Sequence, residues 1–222
     1  MRTGSRCWKR HLASVFLAAA LVSGASFSSA LPAGAATVTD AQYGFSFALP
    51  AGWMRVPLNS KAVGAMLDAA AKNDPSLKNI MNQQVNSAIE KGVKVFAMGP
   101  ISQSFIPNLN VSLEPVPAGM GQYFMSLMPA GLKIVLKSVG AKDITVSSVK
   151  VPFGQALRAT YQMPLKTAFG GLTVHGLQYY VLHGTNAYIT TFTASTAGQD
   201  SAAASVVEHS WHWGSNGASV IA

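Results

Sequence analysis

The sequence predicts an α+β fold built on a largely antiparallel sheet, and three observations predict it. Short runs of alternating apolar residues, such as Tyr43, Phe45, Phe47 and Leu49, have the period of strands with one face against a core. These runs mostly follow one another across short turns containing Gly or Pro, and such turns join antiparallel neighbours. Segments of helical period stand between them, with apolar faces that a sheet layer can bury. The expected order is a β-hairpin, two helices, two strands, a helix, four strands and a helix.

The stretch Tyr43-Gly-Phe-Ser-Phe-Ala-Leu-Pro-Ala-Gly-Trp53 opens the fold. Pro50 has no N–H for a ladder and ends the first strand. Gly52 supplies the positive φ of a tight turn. The expected hairpin has Pro50-Ala-Gly52 at its tip, Met54-Arg-Val56 as its return and Trp53 over the sheet, with Ala36 to Gln42 as a short lead-in. Ser60 caps a first helix, whose Val63, Met66, Leu67 and Ala70 recur at helical spacing. Pro75 starts a second, through Leu77, Ile80, Met81, Ala88 and Ile89, and Gly92 stops it.

Strands are expected over Val93–Met98 and Leu109–Leu113, closed by Pro115 and Pro117. A third helix runs from about Gly121 to Val139, with Tyr123, Phe124, Leu127, Leu132, Val135 and Leu136 on the buried side. Pro129-Ala-Gly131 is expected to kink or split it. Ile144–Val151 and Gln155–Met163 pair across Pro152-Phe-Gly154, and Pro164 to Gly171 forms a loop. Leu172–His183 and Tyr188–Ser195 pair across Gly184-Thr-Asn186. Asp200 caps a last helix from Ser201 to about Trp211, with Ala203, Val206, Val207 and Ser210 on one face.

Residues 1–36 read as a secretory signal peptide. Arg2, Arg6, Lys9 and Arg10 precede the apolar run Leu12–Val22, which is short for a bilayer span. Ala33-Gly34-Ala35 places cleavage near Ala35, with Ser28-Ser29-Ala30 as the competitor. One domain, residues 37–213, and a loose tail, 214–222, follow. The single cysteine, Cys7, precedes the apolar run, where no lipid anchor is attached, so a secreted, non-lipidated protein is expected. No stable membrane span remains after cleavage.

Removing the leader takes four of the 16 Lys and Arg and none of the 8 acids, leaving a net charge of +4. That balance suits loose attraction to anionic wall polymers or phospholipid head groups. No stripe of basic residues with interleaved aromatics supports nucleic-acid binding. Charged residues are only 11% of the chain, well below the typical quarter or so, so polar uncharged side chains must solvate the surface.

Few residues suggest chemistry. His209 and His212, three apart on the expected last helix, are the metal candidates, but two ligands do not make a site. His175 and His183 share a strand parity, yet eight residues of strand span about 26 Å. No Gly-x-Ser-x-Gly elbow or phosphate loop occurs in the exported part, and Glu90, Glu114 and Glu208 are isolated. No catalytic residue and no cofactor is assigned. Met120, Met125 and Met128, with Tyr123 and Phe124, form an adaptable apolar surface on the third helix. It packs a core or, where exposed, suits a hydrophobic ligand or partner.

Three places resemble the PsbP-like family, and within it the secreted or lipid-anchored actinobacterial LpqN-type proteins. They are Tyr43 to Trp53, the strand–turn–strand Val151-Pro-Phe-Gly-Gln-Ala-Leu-Arg158, and the closing Val206 to Ser210-Trp211. Tyr43, Phe45, Phe47, Pro50, Gly52, Trp53, Gly154, Ser210 and Trp211 carry this signature. The resemblance implies a sheet of about seven strands with helices on both faces, an α/β/α sandwich. It also implies a binding or assembly factor without enzymatic activity. The LpqN-type lipid-attachment cysteine is absent here.

The expectation is therefore an exported, non-catalytic binding or assembly protein of the bacterial cell envelope, whose partner is an unknown envelope protein or an apolar ligand. The alternatives are a secreted hydrolase with dispersed residues around His209 or His212, and a lipid carrier.

Overall fold

The computed structural model describes residues 36–58, 85–100, 105–117, 119–167 and 170–214. The leader, the first expected helix and the start of the second lie outside these residues. Strands β1 (Thr37–Asp40) and β2 (Phe45–Ala48) come first, then β3 (Met54–Val56). Residues 85–90 are helical (α1), and β4 (Val95–Met98) and β5 (Asn108–Pro115) follow. Helix α2 (Gly121–Ser138) leads to β6 (Lys142–Val151), β7 (Gly154–Thr167), β8 (Gly170–His183) and β9 (Asn186–Ala194). Helix α3 (Ala197–Ser210) and the short β10 (His212–Trp213) close the fold.

Seven strands form one sheet in the order β3-β4-β5-β9-β8-β7-β6, and every pairing is antiparallel. Strand β9 lies at its centre and is buried along almost its whole length. One face carries α3 and a three-stranded sheet, β1-β2-β10, packed through Phe45, Phe47, Val207 and Trp211 onto Val111, Leu177, Val181 and Phe192. The other face carries α2, whose Met128, Leu132 and Leu136 pack on Leu157, Tyr180 and Ile189. The antiparallel α+β architecture with helices on both faces is the one expected.

Several local expectations fail for identifiable reasons. The opening hairpin is β1–β2, with Val38 opposite Phe47, and not a hairpin across Pro50. Asp40 Oδ1 accepts the Tyr43 N–H at 3.2 Å, and Gly44 has φ +67°, so the turn falls at residues 41–44. The Pro50–Gly52 turn, with the Trp53 N–H bonded to Pro50 O at 3.0 Å, instead carries the chain from one sheet to the other. Strand β3 then pairs with β4. The loop expected over 164–171 is mostly strand, with β7 and β8 paired out to Thr167 and Gly170. Pro164 is tolerated because β6 pairs no further along β7 than Gln162, which leaves that side of β7 an open edge.

Helix α2 runs unbroken through Pro129. Helix α3 starts earlier than expected. Its N-cap is Thr196, whose hydroxyl accepts the Gln199 N–H at 3.3 Å, while Asp200 lies buried in the first turn. It ends at Ser210, because Trp211 is extended. Among the described residues no helix is long and apolar enough to cross a membrane.

Candidate functional site

Helix α2 has apolar residues on two opposite sides. Met128, Leu132 and Leu136, spaced four apart, face the sheet. Met120, Tyr123, Leu127 and Ile134 fall within about 60° of one another on the far side. They are exposed by 46, 61, 67 and 70% of their surfaces. The expectation that Tyr123 and Leu127 face the core is thus wrong. The helix holds more apolar residues than one face can bury, and the surplus faces solvent. Six large apolar side chains are exposed among the described residues, and four of them form this one stripe, a concentration rather than a scatter.

At its N-terminal end the stripe borders a groove of about 160 Å³. Glu114 and Pro115 from the end of β5, Val116 and Pro117 from the turn, and Met120, Tyr123, Phe124 and Leu127 line it. The backbone fixes the groove. Val116 N–H donates to Thr185 O at 2.8 Å, and Met120 N–H to Pro117 O at 3.0 Å. Gly119 turns the chain at φ +76° into the helix. A typical ligand cavity encloses about 300–1,000 Å³, so this groove accepts one side chain or a chain end, not a whole small molecule.

Lys133 and Lys137 are exposed beside the stripe, and α2 carries no acidic residue. Neither lysine suggested itself as functional from the sequence. The available signal was the excess of apolar positions around α2 together with two lysines on one flank.

A second group of polar residues lies between α3 and the sheet. Arg158 and Tyr179 are directly opposed on β7 and β8. Burial pushes the Asp200 carboxyl up, against hydrogen bonds from Ser201 and the charges of His175 and Arg158, which pull it down. The Tyr179 hydroxyl is raised by burial and by the Glu208 carboxylate against it. Such a mixture occurs in acid–base sites. Asp200, however, is only 5% exposed under α3, so a substrate does not reach it. The group seams the helix to the sheet.

The two candidate metal ligands are not brought onto one helical face. His209 is on α3, where its Nδ1 lies 2.7 Å from Ser205 O, whereas His212 is in β10 opposite Ser46. Both are exposed. Helix α3 ends before His212, so the three-residue spacing has no helical meaning. Among the described residues no group of three or more metal-ligating side chains occurs. His175 lies near the middle of β8 and His183 at its end, eight residues apart.

The signature residues gather where the two sheets meet. Trp211 stacks on Phe45 at 4.9 Å and on Phe47 at 5.1 Å. Ser210 Oγ accepts the Ala48 N–H at 2.9 Å and donates to Val206 O at 2.7 Å. Tyr43 and Trp53 pack on the same core at its rim, and Gly52 and Gly154 turn the chain at positive φ.

No protein-family model matches the chain, and no curated protein does. Solved structures are similar in coarse architecture. A chain from Bacteroides thetaiotaomicron is 13% identical with a TM-score of 0.46; the match covers 85% of this chain and 51% of that one. This chain therefore spans about half of that protein's length. Cyanobacterial PsbP from Synechocystis is 15% identical with a TM-score of 0.42, over 85% of this chain and 98% of that one. LpqN of Mycobacterium tuberculosis, which is involved in cell envelope biogenesis there, is 10% identical with a TM-score of 0.43, over 82% and 85%. At these values no residue role passes from those proteins to this one.

Proposed function

We propose that this chain is an exported binding or assembly protein of the cell envelope, in the manner of PsbP-like proteins, acting by docking and without catalysis. One observation carries this reading. An 18-residue helix, fully fastened to the sheet on one side, presents Met120, Tyr123, Leu127 and Ile134 to solvent on the other, with an apolar groove at one end. Exposing such a stripe is unfavourable unless something covers it in use. The leader read from residues 1–36 supplies the extracytoplasmic setting, and Cys7 lies where no lipid anchor would be attached.

The hydrolase alternative loses its motivation, because His209 and His212 are exposed and separated by the end of α3. The groove beside α2 is too small to enclose a lipid. The test is a titration with the apolar fluorescent probe N-phenyl-1-naphthylamine, which would lie along the exposed stripe rather than inside the groove. Fluorescence rises with wild-type protein and falls back in a Tyr123→Ser, Leu127→Ser variant of unchanged fold. No enhancement, or the same enhancement in both proteins, removes the reading.

A further inference from the structure

We infer that the exposed side of α2 is a docking face for an anionic lipid surface. This rests on the docking reading and names its partner. The stripe from Met120 to Ile134 runs about 21 Å along a convex helix, a shape that suits a plane better than a cleft. Tyr123, with its apolar ring and polar tip, stands near one end, and Leu127 and Ile134 are the most exposed of its residues. The groove is too small to take more than a chain end.

Charge selects the lipid. Lys133 and Lys137 flank the stripe on one side, both exposed, and no acid on α2 opposes them. Lys142 follows at the start of β6, also exposed. Among the described residues Glu114 lies on the rim of the groove, at the other end of the stripe from the lysines, and Asp143 stands next to Lys142. The charges that α2 itself carries, Lys133 and Lys137, are both positive. An apolar stripe edged by lysines is the pattern of helices that lie in the head-group region, with ring and aliphatic groups below and ammonium groups on the phosphates. An exported protein whose described residues include no membrane-spanning helix would be held reversibly in this way.

The test is co-sedimentation with vesicles of phosphatidylcholine alone and of phosphatidylcholine mixed equally with phosphatidylglycerol. The protein is recovered from the medium of an exporting host, and its N-terminus is read by mass spectrometry. Wild-type protein binds the mixed vesicles and not the neutral ones, and added salt weakens binding. Lys133→Gln with Lys137→Gln weakens it about thirtyfold, at roughly fivefold per lysine. Leu127→Ser with Ile134→Ser weakens it while leaving the circular dichroism and melting curve unchanged. Equal binding to both vesicle types, or binding insensitive to both pairs of substitutions, overturns the assignment. So does concentration-dependent self-association abolished by Leu127→Ser, which makes the occupant a second copy. If the naphthylamine probe binds and anionic vesicles do not, the lipid assignment alone falls. If neither binds, the docking reading falls with it.

Discussion

The ring of Tyr161 lies over Gly176, its partner across the β7–β8 ladder, and occupies the space a Cβ would need. Any side chain at residue 176 must displace a ring buried against Met163 and Val174. Gly176→Ala should therefore cost about 1–3 kcal/mol, the usual penalty for overpacking, read as a fall in the urea midpoint at constant slope. Asp200 gives a prediction of opposite sign. Burial pushes its carboxyl above the ordinary 3.8, which the Ser201 hydrogen bonds and the charges of His175 and Arg158 only partly offset. The folded chain thus holds that proton more tightly than the unfolded chain. The contribution favours folding below pH 3.8 and is lost as pH rises through the folded value. Asp200→Asn should stabilise the protein at neutral pH, and the gain should vanish as pH falls towards 3.8. A gain independent of pH would mean that the carboxyl is not the cause.

Helix α2 offers a direct comparison between two leucines of one element. Leu132 is 1% exposed against the sheet, and Leu127 is 67% exposed on the other side. Leu132→Ala should cost about 2–5 kcal/mol through lost burial and a residual cavity, whereas Leu127→Ser should stay within about 0.5 kcal/mol. Comparable losses would place the stripe inside the core and end its role as a surface. The existence of α2 was legible in its periodicity, but which side faces the sheet was not, because both sides are apolar and only tertiary contact chooses between them. The β6–β7 and β8–β9 pairings were legible for the opposite reason, since short turns leave adjacent strands little choice but to pair, whereas the placing of β5 beside β9 was not. The β1–β2 hairpin was missed because Thr37–Asp40 has a single strongly apolar residue, Val38, and its strand character comes from a partner. Thr196 was missed as a cap because Asp200, an equally good capping type, lies four residues on, and only the backbone at Thr196, extended at φ −137°, distinguishes them. The candidate site was partly legible. Met120, Tyr123 and Phe124 stood out as an apolar surface, but its exposure depends on packing that a linear pattern does not encode.

The two sheets share no ladder among the described residues, so something else must fasten the small sheet to the large one. Stacked rings do most of this. Trp211 is sandwiched with Phe45, Phe47 and Phe153, and Trp213 stacks on His183 at 4.0 Å while its Nε1–H donates to Phe153 O at 2.9 Å. Tyr188, from the central strand β9, donates its hydroxyl to Tyr43 O at 2.8 Å and completes the contact. Trp211→Ala should cost about 3–5 kcal/mol. The loss should not be spread evenly, because the large sheet keeps its own ladders and its α2 core. Amide exchange at Val38 and Phe47 in the small sheet should speed up through local opening. Exchange at Val111 and Thr191 in the large sheet should change only by the loss in global stability. Trp211, the C-cap residue that ends α3, then acts as the clasp between the layers. Uniform acceleration across both sheets would show instead that the molecule opens as one unit and that the rings stabilise it without dividing it.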